Sequence, residues 1–234
     1  SVAIAKFIKE KPRYYTYRFI YIPETIGSIT YLSRNLEVLK KNTVAGFVLS
    51  CVGDNRDYSY VQTRYGNTIT DKLLDNTLKH LVPSHKAYSF YHRGSDERQF
   101  NAPGVDLPVC SVSRTKYGAY PEYHTSKDDL NLISPEGFAG EYEVMTKSLL
   151  VLENNFKYRI NVFCEPQLGK RGLYPTISQK GSYSSIIALR DFIAYADGTN
   201  TLLDISELIN IPAYELISIK DKLFENKLID IVNE

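Results

Sequence analysis

Apolar positions along this chain alternate between a helical spacing and short continuous runs. Val2, Ile4, Ala5, Phe7 and Ile8 recur at near-helical intervals while Lys6, Lys9 and Glu10 are left for solvent, predicting an amphipathic helix that Lys11-Pro12 stops. Residues 14–22, rich in aromatic and β-branched side chains, predict a buried first strand closed by Pro23, which has no N–H for a ladder. A helix is predicted over 26–41, then an uncharged strand over 44–52 of the kind covered on both faces. The spacing of Ile69, Leu73, Leu74, Leu78 and Leu81 predicts a helix over 68–81 that Pro83 closes. A short strand at 87–91, a polar loop at 93–100, a strand at 104–112 and a loop over 117–129 follow. A helix over 137–155 and a strand over 158–163 come next.

The segment 166–182, rich in Gly, Pro, Lys and Ser, is the expected domain boundary. Beyond it the pattern predicts helices over 183–196, 203–209 and 213–226 and a strand in 228–232, the layout of a winged helix-turn-helix. The expected fold is therefore α/β: a mostly parallel sheet flanked by helices over residues 1–165, followed by a small winged-helix domain over 166–234.

Charge and cysteine usage narrow the function classes. Lys and Arg number 28 against 27 Asp and Glu in 234 residues, a net charge of +1, so nothing pulls the chain toward nucleic acid or an anionic membrane. No apolar run approaches the twenty or so residues of a membrane span, and the N-terminus lacks the layout of a signal peptide. The three widely spaced cysteines, Cys51, Cys110 and Cys164, fit reduced thiols, and a cytoplasmic location is the default expectation. The candidate recognition helix at 213–226 carries as many acids as bases and no arginine. DNA reading needs a basic stripe, so a protein-contact role, homo-oligomerisation included, is the preferred expectation.

Candidate chemistry falls at the ends of elements. Glu24 stands between the first predicted strand and its helix, Asp54 in an acidic turn after the strand over 44–52, and His124 just ahead of the next helix. Each has a plain structural reading as well: Glu24 as a charge at a helix N-terminus, Asp54 as an Asx turn, His124 as a solvated side chain. Converging on one sheet edge, they would instead make the donor set of a hydrolytic zinc site with a glutamate able to move a proton.

The stretch Phe19-Ile20-Tyr21-Ile22-Pro23-Glu24-Thr25-Ile26-Gly27-Ser28 resembles the strand and Glu-Glu-x-Gly turn of co-catalytic zinc aminopeptidases of the bacterial leucyl aminopeptidase type. Val48-Leu49-Ser50-Cys51-Val52-Gly53-Asp54 resembles their next metal-bearing strand, Gly94-Ser95-Asp96 their Ser-Asp loop, and Tyr123-His124-Thr125 with Asp128 their last metal histidine. Gly94 to Gln99, Tyr123 to Asp129 and Arg171 to Thr176 resemble more closely still the signatures of a bacterial aminopeptidase-like subfamily that ends in a winged helix. The resemblance implies a zinc-dependent hydrolase of peptide or amide bonds, with Glu24 as general base and Asp54 and His124 as metal ligands. It further implies a substrate pocket shaped by Asp96, Glu97 and Arg98, and a substrate amide in cell-surface or polysaccharide metabolism.

The pattern also departs from that family. Thr25 replaces a ligating glutamate, Ser50 falls where an aspartate is expected, and the family's first metal histidine and bridging aspartate have no counterpart. The chain is thus expected to be the C-terminal portion of a longer protein, inactive or metal-poor by itself. The competing expectation is a catalytically inactive scaffold that uses the winged helix for assembly.

Overall fold

Four short strands in one sheet organise the first of the two units into which the computed structural model of the chain divides, Ser1–Ser148; the second is Leu149–Glu234. The structure describes residues 1–173 and 182–232. The sheet has the order β1 (Gly46–Leu49), β4 (Val109–Ser113), β2 (Ser59–Val61), β3 (Lys86–Tyr88). The β1/β4 and β2/β3 ladders are parallel and the β4/β2 ladder is antiparallel, with Phe47 opposite Cys110 and Tyr60 opposite Val112. β4 has a strand on each side, and every one of its five residues is buried, Ser111 and Ser113 among them.

Five helices flank these strands in sequence: α1 (Val2–Lys9), α2 (Ile26–Asn42), α3 (Ile69–Leu81), the single turn α4 (Glu97–Phe100) and α5 (Pro135–Asn154). Of these, α3 starts where a capping box dictates: Thr68 accepts from the Asp71 amide, and Asp71 accepts from the Thr68 amide at 2.9 Å. The same buried carboxylate accepts from the Thr63 amide at 2.9 Å and lies 3.3 Å from the Cys110 thiol, which fastens the helix start to the sheet. Leu73, Leu74 and Leu78 are buried as their spacing predicts. A second apolar cluster joins Leu32 of α2 to Phe100 of α4 and to Leu107 and Val109.

Two expectations change here. Residues 14–22 form no strand; they run as an irregular segment with Tyr14 and Tyr21 exposed and Phe19 and Ile20 on the surface. Aromatic and β-branched residues make a strand only with a ladder partner, and among the described residues this segment has none. The sheet also contains β2, which the hydrophobic pattern passed over, and this strand makes the sheet mixed.

In the second unit β5 (Lys157–Ile160) lies between β6 (Asp197–Thr201) and β7 (Ile229–Ile231), antiparallel to both. Helices α6 (Ser182–Tyr195), α7 (Leu202–Ile209) and α8 (Ala213–Glu225) complete a winged helix. Its core contains Tyr158, Phe192, Leu202, Ile205, Leu216, Leu223 and Leu228. A second capping box, Thr201 with Asp204, opens α7, and Asn210 in the left-handed region closes it before Pro212 starts α8. Because β5 pairs with β6 and β7, it belongs to this unit, and the division falls ahead of the Gly- and Pro-rich stretch. Residues 174–181 of that stretch, with Tyr174, Pro175 and Thr176, lie outside the described residues. Among the described residues no helix is long and apolar enough to cross a membrane.

Candidate active site

Parallel pairing of β1 and β4 sends the chain out of both strands at the same edge of the sheet, and the loops leaving there are laced together. The Arg114 amide donates to the Cys51 carbonyl at 3.0 Å. Asp54, 5% exposed, accepts from the Thr115 amide at 2.9 Å and hydroxyl at 2.6 Å and from the Arg56 amide at 3.0 Å. Its carboxylate is thereby turned inward, and its oxygens are engaged in holding residues 50–57 against residues 114–117.

Arg114, 2% exposed, completes the lacing. Its guanidinium donates to the Asp57 carbonyl at 2.7 Å, the Gly137 carbonyl at 3.0 Å and Asn55 Oδ1 at 2.9 Å, and lies 3.6 Å from the centre of the Tyr58 ring. The start of α5 approaches this loop so closely that a Cβ on Gly137 would lie 2.1 Å from the Gly53 carbonyl oxygen. Only glycine fits there. Glu141, one helical turn further on, is buried, and its carboxyl is raised to about 7 by burial, against the lowering effect of Arg114, with the charge of Asp54 adding to the rise.

The result is a cleft of about 320 Å³ lined by Cys51, Val52, Gly53, Asp54, Tyr120, Asp128, Leu132, Ile133 and Phe138. Its wall is apolar on the side of Leu132, Ile133 and Phe138. On the other side the Tyr120 hydroxyl lies 3.4 Å from Cys51 Sγ and 3.2 Å from Asp128 Oδ2, and burial, the thiol and the carboxylate together push its pKa up. Between the same two loops Arg56 and Glu122 form a bidentate pair at 2.9 and 2.8 Å, which holds the Glu122 carboxyl down to about 2.

His124 is exposed, in the left-handed region at φ +59, with its ring stacked on Tyr123 at 3.9 Å between centroids. Glu24 is exposed in the turn before α2. The structure relates the two through Tyr123, whose hydroxyl has its pKa raised by burial first and then by the charges of Cys51, Glu24 and Asp128. Glu24 thus sits within electrostatic reach of the residue beside His124. The Asp54 carboxylate is engaged with Thr115 and Arg56. Among the described residues no group of three or more His, Cys, Asp or Glu side chains is placed to hold a metal ion.

In the loop expected to shape a substrate pocket, Asp96, Glu97 and Arg98 all have hydrogen-bond partners within the chain. Glu97 is fully buried, with Oε1 accepting from the Gly94 and Ser95 amides at 2.8 and 3.2 Å and from the Tyr117 hydroxyl at 2.6 Å. Asp96 Oδ1 accepts from the Thr25 amide at 2.8 Å, and Arg98 Nη2 donates to Thr25 Oγ1 at 2.5 Å. Asp96 and Arg98 therefore hold the turn that carries Glu24, while Glu97 braces their own loop against Tyr117. Their sequence separation from Thr25 hid this, and the run of charges read as a solvated or pocket-lining loop. Arg114, Thr115, Tyr117 and Tyr120 were missed as well, because nothing in their spacing marks them. The one available signal was their place just beyond a buried strand.

The first unit is thus an α/β domain, a mixed sheet with helices on its flanks and loops gathered at one edge, and the second a winged helix. Residues 1–155 match the family described as domain of unknown function (DUF4910), and residues 157–231 match the winged helix-turn-helix family. The chain belongs to the first of these, which accounts for most of its length, and carries the second as its C-terminal part.

Two similarities to Clostridium acetobutylicum proteins accompany the family match. The chain is 39% identical over 231 residues, 98% of its length, to a protein described as a "putative polysaccharide biosynthesis protein with aminopeptidase-like domain", and covers 53% of that protein. It also resembles a crystal structure described as a "putative peptidase", with a TM-score of 0.87 and 38% identity over 98% of this chain and 51% of that one. This chain thus spans about half the length of the relatives it matches. An aminopeptidase from Aneurinibacillus sp. strain AM-1 shares 24% identity at a TM-score of 0.45 over 55% of this chain and 30% of that one, a likeness too slight to carry an argument.

Proposed function

We propose that the first unit forms part of a hydrolase of peptide or amide bonds in which Glu24 is the general base and His124 a zinc donor. What supports this reading is that the charge of Glu24 acts on the Tyr123 hydroxyl, that the Tyr123 ring stacks on His124, and that Asp128 of the same loop lines an apolar-walled cleft. The names of the relatives support the same class and suggest an amide encountered in polysaccharide biosynthesis rather than a general peptide.

The residues present fit zinc only in part. Neither the Glu24 carboxylate nor the His124 ring has a hydrogen-bond partner among the described residues, so the first is free to take a proton and the second to ligate. Asp54 would have to release Thr115 before it could ligate. Zinc sites take three or four protein donors, and the further donors would come from elsewhere in the assembled enzyme. A zinc ion bound there would lower the pKa of a water and polarise the scissile carbonyl. The chain's own contribution is that Glu24, exposed to solvent, accepts a proton from the attacking water and returns it to the leaving amine. Tyr120 and Asp128 offer polar contacts at the mouth of the cleft, while Leu132, Ile133 and Phe138 exclude water from its wall.

A second reading has one observation in its favour: the Asp54 carboxylate is spent on holding loops, as in a scaffold that has kept the fold without the chemistry. Zinc titration, by calorimetry, of the protein at the full length its gene encodes separates the two. The hydrolase reading expects binding that His124→Ala weakens at least tenfold, and zinc uptake indifferent to His124 removes that residue from the site.

A further inference from the structure

The turn that carries Glu24 is an unusual one. Thr25 has φ +62 and ψ −68, and the Ile26 amide donates to the Glu24 carbonyl at 2.7 Å. This is a γ-turn of the positive-φ kind, rare and strained, and more so for a β-branched residue. Relaxation of Thr25 into ordinary helical or extended backbone would rotate the peptide it shares with Glu24 and swing that side chain away.

What opposes relaxation comes from a different loop, 71 and 73 residues further along. Asp96 Oδ1 takes the Thr25 amide proton at 2.8 Å, and Arg98 holds the Thr25 hydroxyl at 2.5 Å. The Ser28 hydroxyl, fully buried, stands 2.8 Å from the same Asp96 oxygen and 2.9 Å from the Thr25 carbonyl, so it closes the ring of contacts. From the other side, a Cβ on Gly27 would lie 2.7 Å from the Ile22 Cβ, so the incoming chain lies tight across the first turn of α2. Strained backbone persists where its surroundings over-determine it, and such positions concentrate at functional sites.

We propose that Asp96 is a positioning residue for Glu24, acting through the strained Thr25 peptide with Arg98 as its support. The link to catalysis rests on reading Glu24 as the base; the clamp on Thr25 does not. On this account, Asp96 and Arg98 reach the chemistry only through the geometry of the turn, and the loop 94–98 contributes no side chain to substrate.

The test compares Asp96→Ala and Asp96→Asn with the parent. Hydrogen exchange of the Thr25 amide and the 13C signal of the Glu24 carboxylate are read by NMR, and kcat and KM for an aminoacyl anilide are measured with the protein at the full length its gene encodes. Loss of a charge-assisted hydrogen bond should speed Thr25 exchange about tenfold or more in Asp96→Ala and move the Glu24 signal. Asp96→Asn, which keeps an oxygen facing the amide, should restore both. A turn displaced by about an ångström should lower kcat by tens of fold with KM little changed. A Glu24 signal unmoved in Asp96→Ala overturns the positioning role whether or not the enzyme is active. If the parent hydrolyses no amide, the proposed function falls while the two NMR readouts still decide on the clamp.

Discussion

Replacing Arg114 by lysine tests whether one buried guanidinium holds the edge loops of the first unit in place. The guanidinium has directed bonds to the Asp57 and Gly137 carbonyls and to Asn55 Oδ1, besides the Tyr58 ring beneath it. An ammonium on a flexible stem can satisfy about one of these acceptors, because the planar fork that reaches three directions at once is lost. Hydrogen bonds from a charged donor contribute about 1.5–3 kcal/mol each, and a desolvated cation over a tyrosine about 2 kcal/mol. These terms overlap, so the loss of two bonds and part of the ring contact should cost about 3–5 kcal/mol. Set against the roughly 5–15 kcal/mol stability of an ordinary domain, this is a large fraction. Urea denaturation gives the total, and hydrogen exchange by mass spectrometry shows whether peptides covering 50–58 and 135–141 lose protection first. A cost below about 1 kcal/mol with unchanged exchange in those peptides would refute the role assigned to Arg114.

Three further outcomes follow from the same contacts. Glu141 is almost wholly buried with its folded pKa raised from 4.5 to about 7, so it favours the folded state below about pH 4.5 and this contribution is lost as pH rises through 7. Glu141→Gln should flatten the pH dependence of stability across that window, removing a fall of about 3 kcal/mol, and a denaturation series from pH 5 to 8 reads it. Gly27→Ala should destabilise by about 1–3 kcal/mol, because its Cβ would press on Ile22, and a thermal melt unchanged from the parent would contradict that packing. Thr201→Ala removes one half of the α7 capping box and should cost about 1 kcal/mol, seen as faster exchange at the start of α7.

Most helices were legible because their signals are local. Thr68 with Asp71 marks the start of α3, Pro212 that of α8, and the intervals between leucines give the buried faces. Strands were read less well. β2 and β6 are a Ser-Tyr-Val triplet and the polar run Asp-Gly-Thr-Asn-Thr, and they are strands only because Val112 and Lys157 or Arg159 lie opposite them. The reverse error, a strand over residues 14–22, came from composition favouring a ladder that the segment does not enter.

At the site, Glu24 ahead of α2 and Asp54 beyond β1 could be read, but His124 lies within the loop between β4 and α5 rather than at a helix start, and no orientation was legible. Asp54 turns inward because Thr115, 61 residues away, offers it both an amide and a hydroxyl. Likewise the charges of 96–98 looked outward in sequence and point to Thr25, Tyr117 and the loop's own amides in the structure. Pairings across that many residues leave no periodic trace.

The measurement closest to the central claim is the rate of aminoacyl-anilide hydrolysis by the protein at the full length its gene encodes, with Glu24 and with Glu24→Gln. Removing a general base should lower kcat by about 10²–10⁴ with the fold and the Tyr123 environment intact. A variant that turns over substrate as fast as the parent would contradict the assignment of Glu24 as the group that moves the proton.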